Sequence, residues 1–171
     1  DEVLAFILDR LDAWLKDQGF QAELFAAVKA INCTKPYDIY LRVQALQKFM
    51  TMPQAASLAS AHKRVNNLLS KQKGTQIPAY QGSLIEESQE RELVEAVSAQ
   101  YHQIVDLCKK QDYSAALLLL ARLKPEIDSF FDKVLVMCEN ETVRLNRLAL
   151  LKTLSDLFVH IADLSYLPVV Q

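Results

Sequence analysis

Residues 140–161 read NETVRLNRLALLKTLSDLFVHI. Leu145, Leu148, Leu151, Leu154, Phe158 and Ile161 recur at three- and four-residue steps, the spacing of one face of an α-helix. A long helix is therefore predicted, with Asn140 as its cap, since an Asn side chain accepts from the free amides of a first turn. Pro168 ends the pattern beyond it.

The same period extends toward the amino terminus. Pro125 can open a helix carrying Ile127, Phe130, Phe131 and Val134 inward, and Asp112 can cap a short apolar one reaching about Leu123. Before these, Leu93, Val97, Tyr101, Ile104, Val105 and Cys108 lie at helical spacing. Ser83 and Glu86 resemble a capping box for that helix. Glu86, Glu87, Glu90, Glu92 and Glu95 crowd its first turns, where the helix dipole favours acids. Residues 72–85 hold Gly74, Gly82 and Pro78 without periodicity and are expected to form a loop.

Four further helices are predicted on the other side of that loop. One starts at Pro53 with Leu58, Ala61, Val65, Leu68 and Leu69 inward; another starts at Thr34-Lys35-Pro36 with Ile39, Tyr40, Val43, Leu46, Phe49 and Met50. A third runs from about Gln21 to Ile31, with Asn32 as terminator. The first in the chain spans Val3 to Leu15, with Val3, Leu4, Ile7, Leu8, Leu11, Trp14 and Leu15 as its core face and Gly19 as the stop. No stretch alternates as a strand does. The expectation is an all-α bundle of about seven or eight helices. It is read as a single domain over 1–171, with N-terminal helices carrying a basic surface at 1–71, a loop at 72–85 and C-terminal helices at 86–171.

Composition narrows the function classes. The chain has 171 residues, the length of one domain, and only three glycines, too few and too scattered for a phosphate-cradling loop. Its longest apolar run, Ala115–Ala121, has seven residues against the roughly 20 needed to span a bilayer. It begins with Asp and shows no basic-then-apolar signal segment, the expectation for a piece of a longer cytosolic chain. Cys33, Cys108 and Cys138 lie far apart without CxxC spacing, which suits buried or half-buried thiols in a reducing compartment better than disulfides or zinc. His62, His102 and His160 are equally scattered, with no metal or triad pattern.

The net charge of −2 conceals a gradient. Residues 1–27 carry −4, residues 28–80 carry +7 and residues 81–171 carry −5. A basic middle between acidic flanks points to phosphate backbones as partners, although ordinary solvated helix surface gives the same count. Two basic constellations stand out. On the helix after Pro53, Arg64, Asn67 and Lys71 at i, i+3 and i+7 share a face next to the apolar one, with Lys63 beside them. Cations can hold phosphates there, and the asparagine amide can read an unstacked base. Arg144 and Arg147 lie one turn apart with Asn146 at the margin, and could equally pair with Glu141, Asp156 or the acidic helix.

Weaker motifs have plainer readings. Asn140-Glu141-Thr142 is a glycosylation acceptor only in a secreted chain. Asp128 and Asp132, at i and i+4, are expected to cap or to pair with Lys124 and Lys133 rather than to catalyse. Phe130 and Phe131 could stack on bases, but adjacent helical residues point about 100° apart, so at least one belongs in the core and both are assigned there.

Phe130-Phe131-Asp132-Lys133-Val134-Leu135-Val136-Met137, then Val143 to Leu151, closing on Ile161-Ala162-Asp163-Leu164-Ser165, closely resembles the carboxy-terminal end of the β subunits of bacterial glycyl-tRNA synthetases. Phe6 to Leu11, Ala61 to Lys71 and Pro125 to Asp128 are similar to the same family, and the likeness is weakest across 72–85. The resemblance implies an anticodon-binding domain of the helical type shared with arginyl-tRNA synthetase. It implies glycine tRNA as partner, docking on the rest of the β subunit, and an α subunit in an α2β2 cytoplasmic assembly, with no membrane involved. It implies that ATP and magnesium serve the whole enzyme while this piece carries no catalytic site, metal or cofactor. The candidate RNA-binding residues are Lys63, Arg64, Asn67, Lys71, Arg144, Asn146 and Arg147. The competing reading is a helical protein–protein docking module without RNA contact.

Overall fold

The computed structural model describes residues 2–72 and 74–168. Over these the chain is all-α. Eight helices follow in order, α1 (Glu2–Asp17), α2 (Ala22–Lys29), α3 (Pro36–Phe49), α4 (Ala55–Ser70), α5 (Ser88–Lys109), α6 (Tyr113–Ala121), α7 (Lys124–Lys133) and α8 (Glu141–Val159). Two short 3-10 turns, Gly82–Leu84 and Leu164–Tyr166, complete the described elements, and no strand occurs among these residues.

Local chemistry sets most boundaries. Gly19 (φ +87°) and Asn32 (φ +57°) take the left-handed conformation that ends α1 and α2. Asp112 accepts from the Ala115 amide at 3.1 Å, and Asn140 accepts from the Thr142 and Val143 amides at 3.1 and 3.3 Å. Pro36 and Pro125 sit in first turns, where no amide donor is required. Two starts differ from expectation. Pro53 lies in the turn before α4. The capping box of α5 is made by Glu87 and Glu90, not Ser83 and Glu86; the Glu87 amide donates to Glu90 Oε1 at 3.2 Å. Ser83 instead lies in a 3-10 turn next to Gln81, which is anchored from across the fold.

The core is centred on α8. Leu148, Leu151, Leu154, Phe158 and Ile161 are buried as their spacing predicts, and Leu145 is half-buried. Val143, Leu150 and Leu157, off that stripe, are buried as well, so α8 is enclosed on nearly every side. Both α4 and α5 pack on it; α5 carries α6 and α7, α6 lies on α3, and α3 pairs with α2.

The first helix departs from its predicted role. It packs chiefly on α2 and α3, and its buried residues are Leu8 and Leu15. Val3, Phe6 and Trp14 are 73%, 61% and 44% exposed, with Trp14 leaning on Tyr40 at 5.5 Å between rings. The seven-residue apolar stripe is wider than the contact its neighbours offer.

A buried polar hub locks the end of α8 to α3 and α6. Asp38 accepts from Tyr113 Oη (2.5 Å), Gln111 Nε2 (3.0 Å), Arg42 Nε (2.9 Å) and Cys33 Sγ (3.2 Å). Arg42 Nη1 in turn donates to the carbonyls of His160 and Ile161 at 2.8 and 2.5 Å, groups that a helix end leaves without partners. Burial alone would raise the Asp38 pKa; the donors around it outweigh that and hold it at about 2.

Candidate nucleic-acid interface

The orientation of α4 follows from its apolar residues. Leu58, Ala61 and Val65 are buried, and His62 is enclosed beside them. Residues on the next face, Ser57, Ser60, Arg64, Asn67 and Lys71, therefore line up outward at alternating steps of three and four. Lys63, Arg64, Asn67 and Lys71 are all exposed. Among the described residues none of Lys63, Arg64 and Lys71 forms an ion pair with a carboxylate. Their positive field thus points to solvent, where it can attract and hold phosphates.

Arg64 is held in place by α7. Its guanidinium lies over the ring of Phe131, 4.4 Å from the centroid. Phe130 is fully buried, but Phe131 is only half-buried against the core. The expectation of two core rings is corrected for this reason: the turn of about 100° between neighbours sends Phe131 into the groove between α4 and α7.

The second constellation is structural. Arg147 is 4% exposed, donates to Glu90 Oε1 from Nε and Nη2 at 3.0 and 2.8 Å, and donates to the Leu135 carbonyl at 2.9 Å. Asn146 is 2% exposed; its amide donates to the Gln81 carbonyl at 3.0 Å and its oxygen accepts from the Gln81 amide at 2.7 Å. Arg144 is half-buried and donates to the Cys138 carbonyl at 3.0 Å. The expectation of an RNA contact line is corrected for Asn146 and Arg147, which are sealed in the interior because α8 is covered on nearly all sides. Arg144 reaches the loop before α8 through Nη1.

Other polar groups fall into place around this framework. Asp128 pairs with Lys124, as expected, and accepts from Ser57 Oγ at 3.0 Å, tying α7 to α4. Asp132 is exposed and has no hydrogen-bond or ion-pair partner among the described residues. Sequence reasoning passed over Ser57 and Ser60, whose signal was their position seven and four residues before Arg64; it expected Asp132 to cap or to pair with a nearby lysine, and among the described residues Asp132 does neither. The fold also brings His62 between Ser155 Oγ, 3.4 Å from Nε2, and Asp163 Oδ1, 3.4 Å from Nδ1 without hydrogen-bond alignment. Its ring is wholly enclosed and lies on Phe158 at 4.6 Å, so the trio packs α4 against α8 and the Leu164–Tyr166 turn. Burial pushes the imidazole down to about 4 against the opposing pull of Asp163. The three cysteines are half-buried, and burial pushes the Cys108 thiol up to about 11.

Among the described residues no three His, Cys, Asp or Glu side chains gather as a metal-binding group. No helix of these residues is long and apolar enough to cross a membrane.

A family model described as the DALR anticodon binding domain matches residues 58–165, from the first turns of α4 to the turn after α8. The chain is also similar to curated glycine–tRNA ligase beta subunits. That of Marinobacter nauticus is 41% identical over 167 residues, covering 97% of this chain and 24% of the relative. Those of Shewanella pealeana and Mannheimia succiniciproducens are 40% and 42% identical, each over 98% of this chain and 24% of the relative. The chain spans about a quarter of the length of the curated relatives it matches.

Proposed function

The chain belongs to the DALR anticodon-binding domain family, and from that premise we propose that it binds the anticodon arm of glycine tRNA as part of a glycine–tRNA ligase beta subunit. The observation that carries this reading is the outward stripe of α4. Three cations free of carboxylate partners among the described residues, Lys63, Arg64 and Lys71, lie with Asn67 on a helix inside the family match. Lys63 and Lys71 hold the RNA backbone by charge, which needs no fixed geometry. Asn67 offers one donor pair and one acceptor to the edge of a base splayed from the loop.

The domain selects and positions the tRNA, and bond making takes place elsewhere. ATP and magnesium serve the glycine attachment carried out by the whole enzyme, and this chain is assigned neither. That enzyme is a cytoplasmic α2β2 assembly in which the remainder of the β subunit and the α subunit are the protein partners. A second reading, a docking module, is favoured by one observation: the exposed Val3, Phe6 and Trp14 on α1. That face is remote in sequence from the α4 stripe, so docking by α1 and RNA binding by α4 are compatible.

The test is a filter-binding titration of the full-length protein with glycine tRNA at several salt concentrations. Lys63→Ala and Lys71→Ala should each weaken binding and lower the salt slope by roughly one for every phosphate no longer neutralised. Unchanged affinity and slope in the double variant would remove the α4 stripe from the reading.

A further inference from the structure

Between α4 and α7 lies an open cavity of about 290 Å³, near the lower end of ligand-site volumes at about 300 Å³. Ser57, Ser60 and Arg64 line one wall; Asp128, Phe131 and Asp132 line the other. The wall from α4 is the continuation of the Arg64–Asn67–Lys71 stripe, so a strand held along that stripe reaches the cavity without leaving the surface.

The lining sorts into groups already engaged and groups left open. Asp128 is occupied by Lys124 and by Ser57 Oγ at 3.0 Å. Asp132 is exposed and unpartnered among the described residues, and the Ser60 hydroxyl makes no hydrogen bond there either. The Arg64 guanidinium lies over the Phe131 ring, 4.4 Å from its centroid, at the same cavity. An anion is disfavoured by two carboxylates. A flat, uncharged group with N–H donors on its edge fits all three features: it stacks on the guanidinium and ring, donates to Asp132, and meets Ser60 with an acceptor or donor.

We propose that this cavity receives one unstacked nucleobase of the bound RNA, and that Asp132 selects a base bearing an exocyclic amine (cytosine, guanine or adenine) over uracil. The assignment rests on the RNA-binding reading above. Asp132 accepts from the amine, as carboxylates do from cytosine N4. Arg64 and Phe131 supply stacking, which is indifferent to base identity.

The experiment uses the full-length protein and a set of glycine tRNA transcripts, each with one anticodon-loop base replaced by uracil. Wild-type protein should lose affinity on the order of tenfold at one loop position carrying an amino-bearing base. Asp132→Asn should abolish that discrimination while leaving the salt slope unchanged, because no phosphate contact is touched. Arg64→Lys keeps the charge but not the plane, and should weaken all transcripts alike. Circular dichroism confirms folding of both variants at these exposed positions. If Asp132→Asn discriminates as wild type does at every position, the base pocket is wrong while the backbone contacts of Lys63 and Lys71 stand on their own salt slopes. If wild-type protein binds no transcript above an unrelated tRNA, the RNA reading and the pocket fall together.

Discussion

Arg147 spends both its Nε and Nη2 donors on a single oxygen of Glu90, at 3.0 and 2.8 Å, with neither residue more than 4% exposed. This pair joins α8 to the first turn of α5, where Glu90 also accepts from the Glu87 amide. Removing the arginine strands a buried carboxylate, which costs about 3–5 kcal/mol. Arg147→Ala should therefore lower the denaturation midpoint sharply. Its folded fraction, assayed well below that midpoint, should bind glycine tRNA with wild-type salt slope. A lowered slope would return Arg147 to the RNA surface.

Asn146 clamps both backbone groups of Gln81. Asn146→Leu keeps an apolar body but frees the 74–87 segment and leaves those groups unpaired, at about 1–3 kcal/mol. Hydrogen exchange at Gln81 and its neighbours should quicken, and proteolysis should move into this stretch. Protection equal to wild type would show that other contacts hold it.

The hub at Asp38 makes a pH-dependent contribution. Its folded pKa of about 2 lies below the ordinary 3.8, so the stabilisation is complete above about pH 4 and fades as pH falls through 2. The difference corresponds to about 2 kcal/mol. Asp38→Asn should destabilise the chain at pH 7, with the gap from wild type narrowing between pH 4 and pH 2. Denaturant midpoints measured across that range check it; a constant gap would assign the loss to packing alone.

His62 works in the opposite chemical sense over a higher window. Burial lowers it from 6.5 to about 4, so the unfolded chain takes up the proton first. Stability is full above about pH 6.5 and falls toward pH 4, by up to about 3 kcal/mol. His62→Gln removes the titrating group, and its midpoint-against-pH curve should be flatter across this interval. Curves of equal steepness would place the titration on another group.

The helices are legible because their signals are local. Asp112 and Asn140 cap where their side chains reach the next amides, and Gly19 and Asn32 stop helices through their own backbone freedom. The start of α5 is not, because Ser83–Glu86 and Glu87–Glu90 carry the same spacing of capping groups, and only the long-range hold of Asn146 on Gln81 separates them. The site is half legible. Arg64 and Arg147 both sit within a turn of an asparagine or arginine on an amphipathic helix, and nothing local distinguishes them.

Periodicity assigns residues to faces of a helix; it does not say how many faces the rest of the chain will cover. The sequence by itself determined the run of helices, most of their caps and a basic α4. Only the tertiary structure decided that α8 is enclosed nearly all round, which turns Asn146 and Arg147 inward. It decided too that α1 is covered on one side, which leaves Phe6 and Trp14 in solvent, and that α7 lies beside α4, which sets Phe131 under Arg64. The physical reason is range: helix geometry and capping act within four residues, whereas burial is a property of neighbours as far apart as Glu90 and Arg147.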